Sequence, residues 1–523
     1  MADTSNSGIY VIEGPARGQP VPVDGVSVTA FVSPAPRGPV DHAVSIASPE
    51  EFQKIFGVPE YHCRLEYAVR QFFANGGSNA VVVRVSGTKA CSRIYLPCDD
   101  ADLILTAKNP GPLEHLRASI DYDDIDAEAQ QSFNLIVQRL RSSGSAWIDA
   151  QECYRNVSSD PGSRDYIGYV LSQSDLVQLS GNAPASRPHP TIKPTTMRQS
   201  GYVDAMAGQI NSPAPNDYDL IGSAAQGTGL NALEQIPDIG QVCLVSGAEG
   251  APLGPIALLA ADRFCRQHQA LLIIDPPSRW TSVDDVLRDQ ERSGFSSPNA
   301  VTWYPGVFAR NRQGERIYTS IVGAVAAALQ SVGQIDGVYP LHNDGPVMLR
   351  GGARLTAQLE NADIRRLARA GINSLVQRSP LHLQLLGNVT QASYGGIAAE
   401  WTELDLRRQV LFILRRIRQG TDWTFFHESM PEIWREVENQ VSVFLTELYG
   451  RSVLVGEYAS LSYFVKCDSD TNAGLMGCSG EVMFLVGFAL RRPGEYLAFR
   501  FHRSHGGCRV SELGWQSGLA CAI

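Results

Sequence analysis

Apolar and polar positions come in blocks along this chain, and the period changes from block to block. Near the start, GIYVIE (residues 8–13) places the β-formers Ile9, Tyr10, Val11 and Ile12 in a row, which reads as a lone strand. Gly14, Pro15, Gly18, Pro20, Pro22 and Gly25 follow, a stretch that offers it no neighbour. An apolar strand with no adjacent partner is a liability unless it pairs elsewhere. VSVTAFVSPAPRGPV (26–40) reads as a buried strand that leaves through a Pro/Gly loop. SPEEFQKIFG carries a helix signature: Ser48 and Glu51 form a capping box and Gly57 closes the last turn. In LEYAVRQFFANGG, residues Leu65, Ala68, Val69, Phe72 and Phe73 share one helical face, and Gly76–Gly77 stops the helix. NAVVVRV is apolar apart from Asn79 and Arg84, as in a buried strand.

The pattern changes over 91–199. FNLIVQRL, ASIDYDD and DYIGYVL read as strands in a more polar background, and GNAPASRPHPTIKPTT reads as a linker. Over 200–395 strands and helices alternate: QVCLVSG, then PIALLAADRFCRQH, then ALLIIDPP and NAVTWYP, then SIVGAVAAALQSV. That alternation predicts a largely parallel sheet covered by helices. Two amphipathic helices come next, ELDLRRQVLFILRRIRQG and EIWREVENQVSVFLTELYG. In the second, Ile433, Val437, Val441, Phe444, Leu445 and Leu448 make the buried stripe. Three strands close the pattern: LSYFVKCD, EVMFLVGFAL and EYLAFRFH. No internal repeat is visible.

Composition narrows the class. The 523 residues suffice for about three domains. An apolar fraction of 44% and a charged fraction of 19% belong to a core-forming globular protein. The net charge of -10 argues against direct nucleic-acid binding, which needs a basic face. No apolar run approaches the roughly 18 residues of a membrane span, and no signal-peptide pattern opens the chain. Folding in a cytosol is therefore expected. The ten cysteines include no C-x-x-C pair, so they read as scattered reduced thiols.

Three stretches imitate chemical sites. VCLVSGAEGAPLGPIALLAADRF runs strand, Gly-rich turn, helix, and Asp275 ends the next strand, as in a dinucleotide site. Its glycines, Gly247, Gly250 and Gly254, are spaced G-x-x-G-x-x-x-G and lack the required fingerprint. A tight βα turn is the simpler reading, with a nucleotide-binding α/β enzyme as the remote alternative. His502, His505 and Cys508 in HRSHGGC could gather around zinc, but no fourth ligand is evident. Cys265 and His268 read as core and surface neighbours on one helix. No nucleophile elbow or phosphate loop occurs, so no catalytic residue, metal or cofactor is expected.

One resemblance is specific. VTAFVSPAPRGPVDHAVSIASPEEFQKIFG, continued by YAVRQFFANGGSNAVVVRV, resembles the N-terminal signature of contractile tail sheath proteins, found in contractile phages, R-type pyocins and extracellular contractile injection systems. LTAKNPGPLEHLRASI and FNLIVQRL resemble that family's β-rich insert. VLFILRRIRQGTDWTFFHESMPEIWREVENQVSVFLTELYGRSVLVG, YFVKCDSDT and EVMFLVGFALRRPGEYLAFRF resemble its C-terminal domain. The likeness covers roughly residues 8–502. The segment GVYPLHNDGPVML departs from the family pattern, and HRSHGGCRVSELGWQSGLACAI has no counterpart in it.

The resemblance implies an α/β (α+β overall) protein. Residues 1–25 would be a strand-donating arm, 26–90 the start of the core, and 91–199 the β-rich insert. A subtilisin-like α/β domain without a triad would span 200–395, the C-terminal sheath domain 396–503, and a tail 504–523. Hexameric rings of such a subunit stack around an inner tube on a baseplate under a tail terminator, without touching membrane. Contraction drives the tube into a target envelope without nucleotide hydrolysis. Synthesis in a bacterial host cytoplasm and assembly into a virion tail or extracellular particle follow; a phage, a pyocin and an injection particle all stay open, and a type VI sheath fits less well. Ile9, Tyr10, Val11 and Ile12 would then be donated to a neighbour's sheet containing Tyr463, Phe464, Val465, Phe484, Val486, Leu497 and Phe499. Arg407, Arg408, Arg415, Arg416 and Arg418 are candidates for tube contact, and Cys508 and Cys521 for disulfides between subunits.

Overall fold

The computed structural model describes residues 20–57, 63–87, 90–111, 114–126, 128–191, 201–206, 215–247, 253–310, 314–332, 347–350, 353–379, 382–393 and 401–517. GIYVIE and Cys521 therefore lie outside the described residues.

Strand Val28–Pro34 lies inside the chain's largest sheet, third from one edge, and its alternation shows why. Phe31 points to one face with Val82, Cys243 and Ile273; Ala30 and Val32 point to the other with Val81, Val83, Val242 and Leu244. A strand apolar on both sides is stable only when both faces are covered. Val28–Pro34 pairs in parallel with Ala80–Val85 on one side and Ile239–Leu244 on the other. Leu271–Ile274, Ala300–Tyr304 and Asn373–Ser379 extend the parallel run. Antiparallel strands finish the sheet, Ala43–Ile46 at one edge and His382–Leu386 with Met348–Arg350 at the other, nine strands in all. The expected alternation and parallel pairing are both present.

Helices Arg64–Ala74 and Val322–Val332 cover the Phe31 face. They approach so closely that a Cβ on Gly323 would lie 1.8 Å from the Ala68 carbonyl oxygen. Helix Pro255–His268 covers the opposite face through Ala257, Ala261 and Phe264. The first helix runs Pro49–Phe56, with Ser48 Oγ accepting from Glu51 N at 3.1 Å and Gly57 closing it at φ 91°. Glu51 reaches back to Ala47 N at 2.8 Å, one residue beyond the expected box partner.

The insert has two small sheets. His115–Asp121, Ser132–Leu140 and Ile148–Ser158 form a meander with Val203–Asp204 at its edge; Arg93–Leu96, Leu103–Ala107 and Val177–Leu179 form the second. DYIGYVL corrects the sequence reading: Ile167–Ser172 is a short helix. Its β-branched and aromatic residues suggest a strand, but Ile167 and Leu171, four apart, are the two that bury. The Pro/Ser-rich stretch is likewise no loose linker over 181–191. Pro188 O accepts from Tyr122 Oη at 2.7 Å and Thr191 Oγ1 from Ile120 N at 2.7 Å. Arg37 of PAPRGP holds the insert to the core: it pairs with Asp149 at 3.0 Å and donates to the carbonyls of Gln53 and Lys54.

The C-terminal part packs helices Leu404–Gly420 and Pro431–Gly450 on a four-stranded antiparallel sheet. All six residues expected in the second helix's stripe are buried. The sheet runs Tyr463–Lys466, Val482–Phe488, Glu495–Ser504, Gly507–Ser517. The fourth strand lies in the stretch that the sequence pattern assigns to a tail. Among the described residues no helix is long and apolar enough to cross a membrane.

Substituting Gly323→Ala should destabilise the chain by about 1–3 kcal/mol, because the two helices must part to admit the methyl. Urea unfolding followed by far-ultraviolet dichroism measures it, and an unchanged midpoint contradicts the close packing.

Candidate functional site

The sheet expected to accept a partner strand is built from stacked aromatics. Phe484 lies on Phe501 at 4.8 Å between centroids and Phe488 on Phe499 at 5.5 Å. Phe484, Val486, Leu497 and Phe499 are fully buried on the two inner strands, where Val486, Leu497 and Phe499 already have a strand partner on both sides. They form the floor of the sheet. Tyr463, Phe464 and Val465 lie on an edge strand of four residues. The other edge is Gly507–Ser517, eleven residues long, whose one described strand partner is Glu495–Ser504. Arg503 and Cys508 lie opposite each other, as do Ser504 and Gly507. The connecting turn is therefore only His505–Gly506, with Gly507 at φ 103°.

The arginines of helix Leu404–Gly420 face inward. Arg407 donates to Asn299 Oδ1 at 2.7 Å and stacks over Trp401 at 4.4 Å. Arg415 donates to Asp238 at 2.8 Å and to Gln269 O at 3.1 Å. Arg416 pairs with the other oxygen of Asp238 at 3.1 Å and donates to Gly25 O. Arg408 donates to Leu329 O at 2.7 Å and pairs with Asp405 at 3.6 Å. Asn299, Gln269, Asp238 and Gly25 each lie just ahead of a strand of the central sheet, in the order those strands occupy in it. The spacing fits: from Arg407 to Arg416 a helix rises about 13.5 Å, and three strand-to-strand steps span about 14 Å. The helix thus lies across the strand starts, one guanidinium after another. Burial pushes Arg407 down to about 10 and lowers Arg408 and Arg415 from the usual range.

A surface that grips a partner needs exposed charge, and this corrects the expectation of a tube-facing cluster. Arg407, Arg408, Arg415 and Arg416 are each 9% exposed or less. Arg418 is half-buried and donates to Gln267 O at 2.7 Å. The sequence shows these arginines clustered on one helix, but it cannot show that Arg407, Arg415 and Arg416 meet Asn299, Asp238 and the carbonyls of Gln269 and Gly25, all more than a hundred residues away.

No protein-family model and no curated protein matches this chain. Solved structures do. A sheath tail protein from Listeria innocua superposes with a TM-score of 0.61 at 11% identity, over 91% of this chain and 94% of that one. A sheath tail protein from Desulfitobacterium hafniense gives 0.53 at 11% identity, over 95% and 99%. The PVC sheath complex of an extracellular contractile injection system, in its contracted state, gives 0.51 at 15% identity, over 94% and 96%. The chain has the contractile tail sheath fold.

Within the sheath fold, both halves of the imitation nucleotide site are filled from inside the chain. Asp217 occupies the N-terminus of helix Pro255–His268, accepting from Gly254 N, Ile256 N and Ala257 N at 3.0–3.1 Å. A phosphate would need that position. Asp275 is buried against Arg64 at 2.5 Å, and burial raises its carboxyl above the usual range despite that partner. Gly250 lies outside the described residues. The zinc reading fails on strand geometry. Cys508 shares a face with Arg503, whereas the adjacent His502 points to the other, and His505 meets Phe425 edge-on. Cys265 is buried, and His268 stacks on Phe264 and bonds Glu234. The nine described cysteines are free thiols. Cys508 packs against the C-terminal core, and burial raises its thiol, which disfavours exchange with a neighbouring chain.

Asp238→Asn should cost on the order of 3 kcal/mol, since it leaves two buried guanidiniums without their carboxylate. Chemical unfolding of the monomer is the measurement, and wild-type stability would remove the clamp.

Proposed function

We propose that this chain is the polymerising subunit of a contractile tail sheath. The observation that carries the reading is the sheath fold, matched over nine-tenths of the chain or more. In this reading the parallel sheet and its helices are the subtilisin-like core without a triad. Copies made in a bacterial cytoplasm stack as hexameric rings around an inner tube, from a baseplate to a terminator. Contraction repacks the contacts while each subunit keeps its fold. The energy resides in the metastable lattice.

A lattice whose every subunit rotates needs a link that survives the motion. A strand donated on a tether supplies one through main-chain hydrogen bonds. Residues 8–13 have the composition of the donor, and the C-terminal sheet has two edges to receive it. The arm's root supports this role. Val21 and Val23 are buried in the C-terminal core, and Asp24 pairs with Arg451 at 2.8 Å, so everything before Pro20 starts from a fixed point.

Deleting residues 1–20 should leave a folded monomer, because Val21 and Val23 remain, and should abolish long sheaths. Electron microscopy of particles formed with tube and baseplate decides it. Sheaths of normal length from the truncated chain would refute strand exchange.

A further inference from the structure

A cleft of about 530 Å3 separates the C-terminal hairpin from the end of helix Pro255–His268. Its charge is one-sided. Arg418 has neutral partners, Gln267 O and Gln269 Oε1. Arg509 is exposed and makes no ion pair among the described residues. His502 Nε2 is buried without a hydrogen-bond partner. The acid in the lining, Glu234, is already bonded to His268 at 3.1 Å. Residues 507–510 form part of the wall, so the beginning of the edge strand Gly507–Ser517 faces this space.

We infer that this cleft receives an extended, carboxylate-bearing segment of a second copy: residues Gly8–Glu13, added antiparallel to Gly507–Ser517, with Glu13 on Arg509 and Arg418. The inference rests on the strand-exchange reading and adds its edge, direction and register. Length allows it, since six extended residues span about 20 Å and the edge strand has eleven residues. Charge sets the direction. An antiparallel donor ends at the Gly507 end, among the arginines. A parallel donor would carry Glu13 away from both arginines, toward Glu512, which already pairs with Arg407 at 3.8 Å.

Charge also selects the edge. Lys466 on the short edge Tyr463–Lys466 is already shared by Asp468 and Asp470, which would repel a carboxylate. The root of the arm favours a second copy over the chain's own arm. Residues 21–25 leave from the helix face carrying Arg416 and Gly420. Arg418, two residues from each, points about 200° around that helix.

Charge reversal tests the assignment with the full chain. Arg509→Glu and Glu13→Arg should each lower sheath yield at least roughly tenfold, read by sedimentation and negative-stain microscopy. Each monomer should keep its wild-type melting temperature. An equimolar mixture of the two variants should restore polymer. In alternating copies, each reversed arm then enters a reversed cleft and each native arm a native cleft, so every contact joins opposite charges. If only the chain carrying both substitutions recovers and the mixture does not, the arm binds its own cleft, and the second-copy assignment is overturned. If neither recovers, or neither single variant loses yield, the register is overturned. Strand exchange itself stands or falls separately, on the deletion of residues 1–20.

Discussion

Buried guanidiniums let the C-terminal helix lie across the beginnings of the central strands, and the arrangement of the molecule depends on that contact. A buried cation costs several kcal/mol unless charge and hydrogen bonds compensate it. Here the compensation comes from the sheet itself: Asp238, Asn299 and the carbonyls of Gln269 and Gly25. The same helix contributes Leu404 and Leu411 to the core of the large sheet, and Val410, Ile413, Leu414 and Ile417 to the C-terminal core. It belongs to two cores at once, so the domains it joins move together.

Arginine joints recur. Arg37 links the insert to the first helix, and Arg64 locks a helix start onto Asp275. Arg84, buried and held down to about 10 by desolvation, bonds the carbonyls of Ala35 and Gly38. Only five of the 44 basic residues are lysines. A planar fork of donors satisfies several carbonyls at once, whereas an ammonium serves as a point charge. The composition thus suits internal seams in which one side chain holds several elements together.

Much of the fold is legible in the sequence because it rests on local periodicity. Leu271–Ile274 is apolar without a break, Ala80–Val85 is interrupted only by Arg84, and the stripe from Ile433 to Leu448 repeats at helical spacing. Ile167–Ser172 misleads because β-propensity is a weak guide where two side chains four apart decide the burial. The last strand escapes the pattern although its signals are present: a turn containing glycines, then Cys508, Val510 and Trp515 against polar neighbours. The arginine cluster is visible as a cluster but not as a buried one, since its partners Asp238 and Asn299 are distant in sequence. The composition of GIYVIE suggests a donor, whereas the basic cleft depends on tertiary contact between residues 266–269, 418 and 502–510.

The two-residue turn at His505–Gly506 has a topological consequence. A loop that short gives its final strand no hinge on which to swing out, so Gly507–Ser517 stays with its own subunit. In the proposed strand-exchange reading, a link between copies would join unlike surfaces, the front of one chain and the back of another. Such a contact is never self-complementary. It would close into a ring or run on as a filament whose two ends differ.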